Sequence, residues 1–180
     1  MKKTVIKKHI SGYTVEFFLF ILFVPALIQG ISQIKSPLFQ TPISTLNFIT
    51  YIIATPFFVI GVIFAIWSNI ELFKIGKGGP ADIFNIAISP RSKKLVTVGP
   101  YRYTRNPMVF GMTAIYFSIA LYLNALMSLI FVILFLSAIS IYLKLTEEKR
   151  LLRDFGDEYL HYKNNVSMMI PFPSKQINKP

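Results

Sequence analysis

The chain has 180 residues, 53% of them hydrophobic and only 15% charged, with a formal net charge of +11. Soluble domains carry about 25% charged residues, and a mean hydropathy of +0.54 points instead to an integral membrane protein of one domain. The positive charge does not mark a nucleic-acid binder. No charged residue lies between Lys35 and Glu71 or between Arg105 and Lys144, and the basic residues gather at the ends of apolar runs, the positive-inside pattern. Cysteine is absent, which excludes a cysteine nucleophile, thiolate metal sites and disulfides and leaves the redox compartment undetermined.

In chain order, a short basic segment with Lys2, Lys3, Lys7 and Lys8 precedes an apolar run from Tyr13 to Ile31. That run is long enough to span a bilayer and has no small-residue cleavage site, so it reads as a retained first helix starting in the cytoplasm. Glu16 sits near its start as an interfacial carboxylate or the partner of a neighbouring Lys, and Pro25 is a candidate kink. Gly30 to Leu46 is a loop with Pro37, Pro42 and one charge, Lys35. Asn47 to Phe73 is a second helix, kinked at Pro56, longer than a minimal span and therefore tilted or projecting. Trp67 marks its interfacial end.

Lys74 to Asn106 is the largest polar segment. Its G-K-G-G-P opening, Gly76 to Pro80, lacks phosphate-loop spacing and reads as a helix stop and turn. Lys74, Lys77, Arg91, Lys93, Lys94, Arg102 and Arg105 stand against one acid, Asp82, which places the segment in the cytoplasm. Pro107 suits the first turn of a third helix ending near Tyr122. Leu123-Asn124-Ala125 is a tight turn, and a fourth helix runs from Leu126 to about Leu145. Two uncharged runs joined so closely predict an antiparallel hairpin. From Thr146 the chain turns charged and amphipathic, with a break near Gly156, and Ile170 to Pro180 reads as a surface tail. The expected fold is an all-α membrane protein with about four transmembrane helices, a C-terminal helical hairpin, a cytoplasmic cofactor-binding loop and a C-terminal helix. Residues 1–73 supply two spans and residues 74–173 the core. An even number of spans puts both termini in the cytoplasm.

Two stretches carry chemistry. G-P-Y-R-Y-T-R-N-P, Gly99 to Pro107, and T-E-E-K-R, Thr146 to Arg150, flank the hairpin and meet at one membrane face. Polar residues beside lipid are costly, which favours a functional role. His9 and His161 lie in no metal or triad pattern, and no cluster has metal-ligand spacing. The chemistry therefore needs neither a nucleophilic side chain nor a metal. Group transfer from an already activated cofactor fits, with the protein supplying orientation and water exclusion.

K-K-L-V-T-V-G-P-Y-R-Y-T-R-N-P-M, an apolar hairpin and then T-E-E-K-R-L-L-R-D-F-G-D-E-Y-L-H-Y resemble the isoprenylcysteine carboxyl methyltransferase family, which groups with the membrane phospholipid methyltransferases. The likeness covers Lys74 to Pro173; the first two spans match only as generic helices. It implies S-adenosylmethionine as methyl donor. It also implies a cofactor site of Lys93, Lys94, Leu95, Val96, Tyr101, Arg105, Asn106, Pro107, Met108, Val109 and Glu147, with Arg105 and Glu147 as the catalytic pair. Arg102, Tyr103, Lys144 and Glu148 are the candidate acceptor-binding residues. The prenylcysteine enzymes have His-Pro where this chain has Asn106-Pro107. They also carry an Arg four residues before the Glu, where this chain has Leu143 with Lys144 beside it. Both departures, and the four expected spans, look more like the phospholipid branch.

The residues support this independently. Glu147 can accept hydrogen bonds from a cationic donor's ammonium or ribose. Arg102 or Arg105 can fork onto a carboxylate or phosphate, and Asn106 can meet an adenine edge. Glu148 or Tyr103 can assist an amine acceptor. The expected partners are a small lipophilic substrate entering from the bilayer and the membrane lipids, with no nucleic acid; acceptor and oligomeric state are not specified. Competing readings are an NADPH-dependent reductase of the sterol-reductase type and a non-catalytic membrane protein. In the latter Arg102 and Arg105 are only positive-inside anchors. F-G-D-E-Y reads as a structural latch, with Phe155 and Tyr159 packed on the loop.

Overall fold

A computed structural model describes residues 2–79, 82–83 and 86–172. The first helix is α1, Lys2–Glu16; it continues through a π-helical stretch, Phe17–Phe23, into α2, Val24–Ser32. Next come α3, Asn47–Glu71, extended by a π turn at Leu72–Gly76, and a two-residue antiparallel ribbon of β1, Asp82–Ile83, and β2, Ile86–Ala87. A 3-10 turn at Gly99–Arg102 leads to α4, Pro107–Tyr122. Then α5, Leu126–Tyr142, a π turn at Leu143–Glu147 and α6, Glu148–Asn165, form one long helical run.

Three helical runs are long and apolar enough to cross a membrane: Ile6–Ser32, Asn47–Gly76 and Leu126–Asn165. Their outer faces carry exposed Phe18, Ile52, Ile63 and Leu134, a surface suited to lipid rather than water. The protein is thus an all-helical membrane protein, apart from the small ribbon. Helix α4 differs. Its 16 residues rise about 24 Å, less than the roughly 30 Å of bilayer hydrocarbon. It is also the most enclosed helix, burying Pro107, Gly111, Thr113, Ala114, Tyr116, Ser118, Ala120 and Leu121.

The reason is close packing on α3, which is its main partner rather than α5, its neighbour in sequence. A Cβ placed on Gly111 would lie 2.6 Å from the Ala65 nitrogen and 2.7 Å from the Gly61 oxygen. Small residues at facing positions let two backbones touch, the main source of helix association where apolar burial gives no drive. Ring contacts Phe64–Phe110, Phe57–Phe117 and Tyr51–Tyr122 run in opposite chain directions, so α3 and α4 are antiparallel. On the other side α4 meets α2 and α5 in a core of Val24, Ile28, Tyr116, Ala120 and Val132.

Pro25 acts through a π-helical stretch rather than a simple kink. The Val24 N–H donates to Leu19 O and Pro25 has no N–H, so the Phe20 carbonyl loses its helical donor. The Tyr116 hydroxyl donates to that carbonyl at 2.7 Å. Helix α3, by contrast, runs unbroken through Pro56. The turn between α4 and α5 is less apolar in its working than its sequence suggests. Asn124 takes a left-handed conformation, φ 48°. Its Oδ1 accepts from Ile43 N and Ser44 N at 2.9 and 3.0 Å, and its Nδ2 donates to Ser44 O at 2.8 Å. One side chain therefore ties the 33–46 loop to the far end of the bundle.

The G-K-G-G-P stop ends α3 with Lys77 left-handed, φ 55°; Pro80 lies outside the described residues, as does the tail beyond Phe172. Gly156 has φ 53° and ψ −129° inside α6, the break expected there; only glycine adopts such a conformation without strain.

Two substitutions test this packing. Gly111→Ala forces α3 and α4 apart and is expected to cost about 1–3 kcal/mol. Tyr116→Phe leaves the Phe20 carbonyl without a donor and is expected to cost about 1–3 kcal/mol. Denaturant unfolding in lipid micelles measures both.

Candidate functional site

The polar end of the bundle is assembled by Thr104-Arg105-Asn106. Arg105 N donates to Ser167 O at 2.8 Å and Arg105 Nε to Val166 O at 3.1 Å. Thr104 Oγ1 and Asn106 Nδ2 both donate to Met168 O, at 3.0 and 2.9 Å. Phe172 N donates back to Tyr103 O at 3.0 Å. The loop before α4 thus clasps the chain leaving α6.

Arg105 also reaches α6 itself. Its Nη1 donates to Glu148 Oε1 at 2.5 Å and to the Tyr159 hydroxyl at 3.0 Å. The Arg105 and Glu148 side chains are only 9% and 8% exposed. Lys163 Nζ adds a second bond to Glu148 at 2.7 Å. Tyr162 donates to Tyr101 O at 2.7 Å, and Tyr159, Tyr162 and Val166 pack with Leu95, Leu151 and Phe155. The F-G-D-E-Y stretch is therefore part of the seal between α6 and the loop.

Under this seal lies a cavity of about 150 Å³. Of the expected cofactor residues, Lys94, Leu95, Val96, Tyr101, Arg105, Asn106, Pro107, Met108, Val109 and Glu147 line it. Lys93 does not; it is exposed, with its backbone N bonded to Gly76 O at 2.8 Å. Among the expected acceptor residues Glu148 lines the cavity, whereas Arg102, Tyr103 and Lys144 are exposed and outside it. Residues that sequence reasoning left out also contribute, among them Leu72 from the π turn after α3 and Arg150 and Tyr162 from α6. Helical spacing alone places Leu151, Phe155, Tyr159 and Tyr162 near one face, but nothing in the sequence says what that face covers.

Gly99, with φ 61°, brings the backbone against α3 and not against the cavity: a Cβ there would lie 2.9 Å from Glu71 Cγ and 3.0 Å from Trp67 Nε1. This contact seats Tyr101. Burial pushes the Tyr101 phenol well above its ordinary pKa, and the Glu147 and Glu16 carboxylates push it further. It therefore stays a neutral hydrogen-bond donor.

A second cavity, about 120 Å³, adjoins the first. Its walls are Val15, Glu16 and Phe20 from the first helical run, Met108 to Tyr116 positions of α4, and Phe135, Ile139 and Tyr142 of α5. Met108, Val109, Leu143 and Glu147 line both cavities. Leu143 and Glu147 sit one turn apart in the π turn, a helical irregularity often found at functional sites. Glu147 also accepts from Arg150 Nη2 at 3.2 Å.

The donor set fits a charged, mixed-polarity cofactor in the first cavity. Glu147 is an acceptor for a cation, Tyr101 a neutral donor, and Arg105 Nη2 has no protein partner among the described residues. Asn106 keeps Oδ1 after its Nδ2 is used on Met168 O.

The latch makes a measurable difference. Glu148→Ala leaves a buried guanidinium uncompensated and is expected to destabilise the seal by about 3–5 kcal/mol. Limited proteolysis near Val166, compared with the parent protein, reads that loss.

Comparison with known proteins adds one relation. No curated protein and no solved structure matches the chain. Residues 49–158 match the phospholipid methyltransferase family. The match starts near the beginning of α3, earlier than the motif resemblance at Lys74, and it takes in the loop, α4, α5 and most of α6. It covers more than half of the sequence and contains the Gly99–Pro107 and Thr146–Arg150 stretches that meet at the first cavity, so the chain belongs to the phospholipid methyltransferase family.

Proposed function

We propose that the protein transfers a methyl group from S-adenosylmethionine to a lipophilic acceptor at the membrane surface. The observation that carries this reading is the position of Glu147, in the wall of both the polar cavity and the apolar one. A water-soluble donor and a lipid-soluble acceptor need two adjoining chambers of opposite character, with little water where they meet.

When bound, the cofactor supplies a methyl carbon made electrophilic by a sulfonium. The chain's own residues then have separable tasks. Glu147 accepts hydrogen bonds from the donor's ammonium or ribose and favours its positive charge. Arg105 Nη2 holds a carboxylate, while its other nitrogens fix the ring of contacts to α6. The neutral Tyr101 hydroxyl donates. Leu95, Val96 and Pro107 provide apolar wall. Met108, Val109 and Leu143 line the junction and keep water from the reacting atoms. No side chain has to act as nucleophile.

In this reading the chain crosses four times, with α4 as the short inner crossing, so that the polar end, both termini and residues 74–106 share one side. The excess of Lys and Arg there supports the cytoplasmic side. The acceptor enters the second cavity from the bilayer.

Equilibrium binding of S-adenosylmethionine to the purified protein in nanodiscs tests the reading, with NADPH as the competing ligand. Binding of the methyl donor and not of NADPH is expected. Glu147→Gln is expected to weaken donor binding roughly 10- to 150-fold, the loss of one ionic hydrogen bond. NADPH binding alone overturns the proposal, and an unchanged donor affinity in the variant removes Glu147 from the site.

A further inference from the structure

We propose that residues 167–172, together with Tyr103, form a strap anchored in the lipid interface, and that this anchorage holds the first cavity shut. The proposal rests on the four-crossing arrangement above and not on methyl transfer. Ile170 and Phe172 lie beyond residues 49–158 that match the family, so the family relation assigns them nothing.

Helix α6 does not carry the chain away from the membrane. The break at Gly156 folds it back on itself. Lys163 Nζ lies 2.7 Å from Glu148 Oε2, although the two residues would stand about 22 Å apart along an unbroken helix. Arg105 likewise meets Glu148 at one end of α6 and Val166 O just past the other. The chain therefore leaves α6 beside the start of α4, where Arg105 N and Asn106 Nδ2 donate to Ser167 O and Met168 O. The Ser167 hydroxyl then donates to Ile170 O, and Phe172 N to Tyr103 O at 3.0 Å.

The depth of this strap follows from α4. Asn124, just past the far end of that helix, holds Ser44 in the loop before α3, which fixes that end at the opposite face. From there α4 rises only about 24 Å, so its start reaches no further than the edge of the roughly 30 Å hydrocarbon layer. Gly99 rests on Trp67, with a Cβ there 3.0 Å from Nε1, and Trp67 marks the interfacial level on α3. At that depth Tyr103, Ile170 and Phe172 are 38%, 63% and 60% exposed. Aromatic and apolar side chains at this level gain by entering the boundary between head groups and acyl chains. Arg102, beside Tyr103, is exposed and in no ion pair among the described residues, so a lipid phosphate can take its guanidinium. The same strap supplies the acceptors of the seal. Val166 O, Ser167 O and Met168 O take the bonds of Arg105, Thr104 and Asn106. Holding Ile170 and Phe172 in lipid holds those carbonyls, and α6 with them, over the cavity.

The test uses the full chain in phosphatidylcholine nanodiscs. The protein has no cysteine, so Ile170→Cys, Phe172→Cys and Asp157→Cys each report one position when labelled with bimane. Positions 170 and 172 are expected to be quenched by a nitroxide near the head-group end of the lipid chains and shielded from iodide. Position 157, at the turn of α6, is expected to show the reverse. Replacing Ile170 and Phe172 together by Asp is expected to speed proteolysis near Val166 at least about tenfold. Replacing both by Leu is expected to leave it slow, which guards against a change in the backbone alone. Iodide quenching at 170 and 172, or cleavage unchanged in the Asp variant, overturns the proposal. An impermeant maleimide on intact expressing cells separates this from a failure of the topology. Gln40→Cys and Asp157→Cys are expected on opposite sides; labelling from the same side removes the four-crossing arrangement and the strap's depth with it, whereas opposite sides with iodide quenching remove the anchor alone.

Discussion

The polar end of this protein depends on one buried guanidinium. Arg105 gives its donors to Val166 O, Glu148 and Tyr159, and its backbone N–H to Ser167 O. A charge this enclosed is tolerable only with a counter-charge and well-placed acceptors. That requirement couples three segments with no local reason to meet: the turn before α4, the first turn of α6, and the extended chain after it. The cavity exists because those segments are held in that order. Arg105 thus serves the site twice, as part of its wall and as the group that closes it.

Helix α4 translates this closure into the membrane. In its first turn Met108 and Val109 form wall in both cavities, while Gly111 soon after fixes its distance from α3. Any change in the α3–α4 distance must move Met108 and Val109, because the two positions share one rigid helix. The stabilising contact and the junction of the chambers are thus neighbours. A protein whose apolar helices gain little from burial in lipid relies on such backbone contacts for a unique arrangement.

The first helical run contributes in a different way. Pro25 removes a donor, the π-helical stretch absorbs the defect, and Tyr116 satisfies the carbonyl that results. This bond fixes the run beside α4, with Phe20 and Glu16 in the same chamber wall as Tyr116. A local flaw in one helix becomes a specific tie to another.

Much was legible in the residues alone. Apolar runs and their charged ends determine that the chain lives in a membrane and where most helices lie, because hydrocarbon excludes charge and unpaired backbone. Pro107 and the left-handed glycine at 156 mark their positions through backbone sterics. The spacing of the two charged motifs points to a shared site. Partner choice was not legible. The hairpin reading favours α5 as the companion of α4, yet α3 is the closer one, because glycine at 61 and 111 matters only once the helices face each other. Likewise Arg102, Arg105, Lys93 and Lys94 look alike as basic residues beside lipid. The tertiary structure alone decided that Arg105 is buried in a network, Lys94 is in the wall, and Arg102 and Lys93 are outside it. Sequence carries the cost of placing each group in water or lipid; which groups then meet depends on distances between segments far apart in the chain.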